Sequence, residues 1–373
     1  MNDVNSLLGQ HVMIGLQGPT LLPEEKKFII ENEICGVTLF GRNAKEPQQV
    51  YELCKELHSL TPQTKNKVPL FVAIDMEGGR VARLKAPFTV WPALSKLGDI
   101  DSPTLSFHFA QAMGKELRAV GINLDFAPCA DVLTHTENPA IGDRSLSSDP
   151  EIVAKHVSAL IRGYMKSEVI PCVKHFPGHG NTKVDSHHDL PVESTDLDTL
   201  RNRELLPFKK ALKSKIEMVM SSHIRFQNID SEWPCTLSEK FLTDLLRQEL
   251  KFQGLIITDD LGMKAMTSFF PQEKIPVRAL QAGANILLYC NDFDVPPMAL
   301  ESMKSALSAG DLNSDSLQNS YKKIVEMKKN NIKSIHMLSY NEVRNIVGHP
   351  DHQKLSQAIA EGKVPPELVS ANI

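Results

Sequence analysis

Nowhere in the 373 residues is there a Cys-x-x-Cys pair, a block of like charges or an apolar run approaching the length of a membrane span. The six cysteines, at 35, 54, 129, 172, 235 and 290, are scattered. Cys129, Cys172 and Cys290 lie in apolar, strand-like surroundings, where a reduced thiol behaves as a small hydrophobe. A net charge of −4 with no basic cluster argues against nucleic-acid and membrane-surface partners. The opening MNDVNSLLGQ lacks a basic region followed by an apolar stretch, so the expected location is cytoplasmic.

Short apolar segments recur along the chain, at Val12–Leu16, Gly36–Phe40, Leu70–Ile74, Ile122–Ala127, Val169–Val173, Met218–Ser221, Leu255–Thr258 and Asn285–Tyr289. They are rich in β-branched residues and do not alternate with polar ones, as strands of a parallel sheet covered on both faces should be. Helix signals fill the gaps. Ser102-Pro103 supplies an N-cap and a first-turn proline, and Gly121 closes that helix. Ser148-Asp149-Pro150 opens another, with Ile152, Val153, Val157, Leu160, Ile161 and Tyr164 on one face. Repeated βα units over this length predict an α/β fold of the (β/α)8 TIM-barrel type in residues 1–330, with residues 331–373 as a helical extension packed on the barrel. The structural rival is a doubly wound open sheet. Gly15-Leu16-Gln17-Gly18 is too short for the phosphate fingerprint that such a sheet usually carries.

Catalytic groups of such a barrel lie on the loops after the strands' carboxyl ends. Those positions hold Asp75-Met76-Glu77-Gly78-Gly79-Arg80 and Arg83, Asp131 and Gly142-Asp143-Arg144-Ser145, the loop Lys174–His187, Ser222-His223, Asp259-Asp260 and Asn291-Asp292. The set is rich in carboxylate, histidine and arginine and has no basic phosphate cradle. It suits hydrolysis of a neutral polar substrate such as a sugar.

Several of these segments resemble one family. Asp75-Met-Glu-Gly-Gly-Arg, Lys174-His-Phe-Pro-Gly-His-Gly with Asp185-Ser-His and Leu190-Pro191, and Ile256-Ile-Thr-Asp-Asp-Leu-Gly-Met263 look like the family 3 glycoside hydrolases, in particular the short bacterial β-N-acetylglucosaminidases of peptidoglycan recycling. Gly36–Asn43 and Ile141–Ser145 are similar to them too, so the likeness runs from about residue 10 to 330. Met76 stands where Gln is usual and Gly262 where Ser is common. The resemblance implies a retaining mechanism through a glycosyl-enzyme. It implies Asp259 as nucleophile, with Asp260 as the rival, and a His187–Asp185 acid/base dyad, with His188 as a poorer match. Asp75, Arg83, Arg144, Lys174 and His175 would hold the sugar, and His179 would stabilise the loop. The implied substrate is a muropeptide carrying terminal β-linked N-acetylglucosamine, with no cofactor and no metal. His187 lies far beyond its strand, so it is expected to reach the glycosidic oxygen as the loop closes over bound sugar.

Other readings use the same residues differently. His175, His179, His187 and His188 with nearby aspartates would be zinc ligands in a metal-dependent barrel hydrolase, although the end of the first strand, Leu16-Gln17-Gly18, lacks the usual His-x-His pair. A β-glucosidase of the same family generally draws its acid/base from a second domain, which the residues after the barrel are too few to form. A non-catalytic sugar-binding barrel would be free to lose Asp185, His187 and Asp259, and all are present.

Overall fold

Parallel strands carry hydrophobic residues on both faces, and in a closed barrel the two faces meet different neighbours. A computed structural model describes residues 4–332 and 337–369. Its eight barrel strands are β1 (Val12–Gly15), β2 (Gly36–Leu39), β3 (Phe71–Ile74), β4 (Leu124–Asp125), β5 (Ile170–Phe176), β6 (Met218–Ser221), β7 (Leu255–Asp260) and β8 (Ile286–Tyr289). Each pairs in parallel with its sequence neighbours, and β8 returns to β1 through Val12–Leu287, Met13–Leu288 and Ile14–Tyr289. The fold is the (β/α)8 barrel, not the open sheet.

Residues of one parity, Met13, Phe71 and Ala73, Leu124, Ile170 and Cys172, Met218 and Met220, Leu255 and Ile257, Ile286 and Leu288, form one buried cluster inside the barrel. The alternate residues, among them Val12, Ile14, Val37, Val72, Val219, Ile256 and Leu287, pack with the surrounding helices. Side chains two residues apart on a strand share a face. Each inward row therefore aims whatever follows it at the barrel mouth. At the opposite end the helix Ser314–Asn331 seals the floor. Its Ile324 joins the interior cluster, and the buried Lys328 reaches Gln10 Oε1 at 2.7 Å with its ammonium 4.9 Å from the centre of the Phe71 ring.

The helix boundaries follow the sequence signals. Ser102 Oγ accepts from the Leu105 amide at the head of Pro103–Ala119, and Gly121 beyond its end takes φ +96°. Asp149 caps Pro150–Lys166 by accepting from the Glu151 amide at 2.8 Å. Three strands differ from expectation by two residues or more, and one of them, β7, runs past Thr258 to Asp260, so that Asp259 is a strand residue. β5 runs on to Phe176, so Lys174 and His175 are strand residues and not loop residues. β4 shrinks to Leu124–Asp125.

The C-terminal residues form helices Tyr340–Ile346, Pro350–Ala360 and Pro366–Val369, with 333–336 and 370–373 of the expected extension lying outside the described residues. Val343 and Ile359 are buried against the barrel's helices. All six cysteines are free and buried, and among the described residues no helix is long and apolar enough to cross a membrane.

Candidate active site

The inward rows decide which acids and bases meet. Phe71 and Ala73 point inward on β3 and Asp75 comes next in step. Ile170 and Cys172 do the same for Lys174, and Leu255 and Ile257 for Asp259. All three side chains line one cavity of about 430 Å³ at the strands' carboxyl ends. Arg83, Arg144, His175, Asp185 and His187 line it as well, so every sequence-predicted site residue is brought to the same place.

The cavity wall is an ion-paired ladder. Asp75 Oδ2 accepts from Arg83 at 3.2 Å, and its Oδ1 accepts from Lys174 Nζ at 2.7 Å. Lys174 Nζ is also 2.6 Å from Glu77 Oε1. Glu77 in turn holds Arg144 in a fork, Nε at 2.9 Å and Nη2 at 2.8 Å. Burial alone would raise the Glu77 and Asp75 carboxyls, but the neighbouring cations outweigh it and hold both below their ordinary values. Burial likewise works against Lys174 and Arg144. The adjacent carboxylates more than reverse that, and both titrate above the usual range. The hairpin pairing Met76–Gly78 with Val81–Ala82 delivers Glu77 to this position.

A second group orients His175. Its Nδ1 lies 2.7 Å from Asp131 Oδ2, and Arg144 Nη2 approaches its Nε2 at 3.3 Å. A carboxylate only accepts, so Nδ1 carries the hydrogen and Nε2 accepts from the guanidinium. Asp131 also receives the His175 amide and, at 2.6 Å, the His179 amide. His179 is buried, which lowers its pKa to about 4, and it bonds Thr182 Oγ1 at 2.7 Å and Ser186 Oγ at 3.3 Å. It holds the loop together. Gly180 lies so close to the next loop that an added Cβ would sit 1.7 Å from the Val132 carbonyl. The first part of the long loop is therefore pinned, and its exposed part begins at Lys183.

At the cavity lip, His187 Nδ1 lies 2.8 Å from Asp185 Oδ1, and the imidazole is 69% exposed. This hydrogen bond raises the His187 pKa above 6.5 and drives the Asp185 carboxyl well down. The neighbouring acids divide cleanly. Asp260 Oδ1 accepts the amides of Gly262 (3.0 Å) and Cys290 (3.1 Å), while burial raises its pKa. Burial would also raise Asp259, but the rings of His223 and His175 and the Asp260 amide outweigh it, leaving an ionised carboxylate on the inward face. Exposed His188 is not among the residues lining the cavity.

The four histidines considered as zinc ligands do not form one ligand cluster: His175, His179 and His187 line the same cavity, but the first two rings stand 5.8 Å apart and His188 lies outside it. Among the described residues the group that does form one is Cys129, Asp131 and His175. There, both Asp131 oxygens are already taken by hydrogen donors, Oδ1 by two amides and Oδ2 by His175 and Cys129.

Residues 5–327 match the glycosyl hydrolase family 3 N-terminal domain. The chain belongs to that family. It is 34% identical to beta-hexosaminidase A of Pseudoalteromonas piscicida over 91% of its own length, and spans 60% of that relative. It is also 34% identical to a beta-hexosaminidase of Hydrogenovibrio crunogenus, covering 82% of this chain and 85% of the relative. Among solved structures, a family 3 beta-N-acetylglucosaminidase from Paenibacillus sp. str. FPU-7 superposes with a TM-score of 0.92 at 33% identity, covering 97% of this chain and 69% of that one. NagZ from Neisseria gonorrhoeae in complex with N-trifluoroacetyl-D-glucosamine gives 0.76 at 29% identity, over 95% of this chain and 98% of that one.

In this glycoside hydrolase three site residues have a role that their sequence pattern does not reveal: Glu77, Asp131 and His223. Each follows a strand's carboxyl end, which was the available signal. What was missing was that Glu77 binds two cations, that Asp131 orients His175, and that His223 sits beside Asp259 with its Nε2 3.0 Å from the Asp260 carbonyl. Glu77 is 1% exposed, so Glu77→Gln leaves Arg144 and Lys174 sharing one fewer buried charge. Breaking a buried pair on one side costs about 3–5 kcal/mol. Denaturant unfolding of E77Q should show a loss of that order, and wild-type stability would mean that the ladder is not a buried ion network.

Proposed function

We propose that this family 3 enzyme is a retaining exo-β-N-acetylglucosaminidase that releases terminal, non-reducing β-linked N-acetylglucosamine from peptidoglycan-derived muropeptides in the cytoplasm. The observation that carries the reading is the pairing of an ionised, inward-facing Asp259 with an exposed His187 whose Nδ1 is held by Asp185. The relatives' names, beta-hexosaminidase and beta-N-acetylglucosaminidase, favour the same substrate class.

The ladder of Asp75, Arg83, Lys174, Arg144 and His175 holds the sugar hydroxyls. Its charges are already paired and fixed, so little reorganisation accompanies binding. Asp259 attacks the anomeric carbon. The proton on His187 Nε2 passes to the glycosidic oxygen as the carbon–oxygen bond breaks, and the aglycone leaves. A water then gives a proton back to Nε2 and attacks the same carbon from the vacated face, regenerating Asp259 and releasing the sugar with retained configuration. Asp185 steadies the imidazolium before cleavage and after hydrolysis, and between the two steps it orients the neutral ring through the Nδ1 hydrogen. The loop that bears His187 closes over bound sugar and shuts out bulk water until the aglycone has left.

The reading is tested by turnover of p-nitrophenyl N-acetyl-β-D-glucosaminide against the glucoside analogue, with and without EDTA, and by trapping with a 5-fluoro glycosyl inactivator. Preference for the acetamido sugar, indifference to EDTA and a label on Asp259 are expected. A label on Asp260 overturns the nucleophile assignment.

His187→Ala should lower turnover of a natural disaccharide by about 10²–10⁴-fold, the usual contribution of a general acid. The nitrophenyl sugar should suffer much less in the bond-cleaving step, because nitrophenolate departs unprotonated. Equal losses would remove His187 from the acid role.

The pH profile follows from the same groups. The active form needs His187 protonated and Asp259 ionised, so kcat/KM should fall as pH rises through a value above 6.5 and as it drops below 3.8. Asp185→Asn should move the alkaline limb to lower pH. An unmoved limb would separate Asp185 from the titration of His187.

A further inference from the structure

Residues 86–92 lie between the C-terminal helix Pro350–Ala360 and the hairpin that carries Glu77. On one side, Ser356 Oγ donates to the Val90 carbonyl at 2.6 Å. The buried Glu116 carboxylate accepts from the Thr89 amide at 3.0 Å and from the Thr89 hydroxyl at 2.5 Å, and lies 2.8 Å from His352 Nδ1. On the other side, the Trp91 carbonyl accepts the Gly79 amide at 2.9 Å. Gly78 has φ +97°, and an added Cβ there would lie 2.4 Å from the Pro92 carbonyl, so hairpin and loop are in close contact. Trp91 is buried edge-on to Phe109, which stands on the same helix as Glu116.

Docking alone does not call for this arrangement. Val343 and Ile359 already supply apolar contact, whereas His352 and Glu116, with side chains 12% and 4% exposed, form a largely desolvated polar pair. Such a pair contributes little net stability, but it fixes geometry well. A continuous path of hydrogen bonds and packed backbone thus runs from the tail to Glu77.

We propose that His352 and Ser356 make the C-terminal helix a brace that positions the Glu77 hairpin, so that docking of the tail sets how tightly the cavity holds its sugar. His352 is a positioning residue. It acts through Glu116 and Thr89.

The test uses the full chain, comparing His352→Ala/Ser356→Ala with Ser356→Ala alone, His352→Gln and Tyr51→Phe. Tyr51 donates to the Leu338 carbonyl at 2.8 Å, so its loss loosens the start of the tail without touching residues 86–92. Two quantities are read: hydrogen exchange of the 76–83 amides, and KM for p-nitrophenyl N-acetyl-β-D-glucosaminide. The double variant should exchange faster in the hairpin and raise KM about three- to tenfold, with kcat within about twofold. Ser356→Ala should show a smaller change in the same direction, and His352→Gln, which keeps a donor for Glu116, should recover most of it. Tyr51→Phe should change neither quantity. Wild-type hairpin exchange and KM in a double variant whose tail has loosened would overturn the brace. If the double variant does not fold, Ser356→Ala decides by the same two measurements. The kinetic arm rests on the proposed activity. The exchange arm does not, so an enzyme inert toward the nitrophenyl sugar would refute that activity and still report on the brace.

Discussion

Glu77 is the group on which the site depends. Its carboxylate is almost wholly buried, forks onto Arg144 and touches Lys174, and those two cations reach His175 and Asp75. Charges alternate along the chain Asp131, Arg144, Glu77, Lys174, Asp75 and Arg83, with His175 bridging the first two. Any single member placed there alone would carry a large desolvation cost. Together they stay ionised at the mouth of a hydrophobic barrel. The polar wall keeps its shape because each side chain has its neighbour's charge to hold it.

The arrangement separates two tasks. The paired ladder is suited to holding hydroxyl groups, since its donors and acceptors are already oriented before a ligand arrives. Asp259 and His187 are held differently. Asp259 takes one backbone amide and faces the cavity, while His187 stands exposed at the lip with a single carboxylate partner. Adjacent residues on one strand have been given opposite uses: Asp260 secures two backbone amides, and Asp259 keeps its carboxylate toward the cavity.

Much of this was legible along the chain. Eight short apolar runs with helix signals between them correspond to the eight barrel strands, because burial on both faces leaves a compositional mark that needs no tertiary knowledge. The candidate residues all lie at or beyond the strands' carboxyl ends, and topology alone carries those ends to one face of the barrel. The strand lengths were less visible. Val169–Val173 looked complete where the polar Lys174 began, yet β5 continues to Phe176, since Lys174 is neutralised by Asp75 and Glu77. Polarity ends a strand in a sequence. It does not do so in a structure that supplies partners.

The sequence by itself determined the barrel, the face that carries the chemistry and the types of residue gathered there. These follow from local patterning and from the geometry of parallel strands. Only the tertiary structure decided which residue pairs with which. The Glu77–Arg144, Asp131–His175 and Lys174–Asp75 contacts join positions 67, 44 and 99 residues apart. Only the fold, too, brought His352 against Glu116 across a separation of 236 residues. Pairings of this kind depend on distances set by the closure of the whole barrel, and no local period in the chain encodes them.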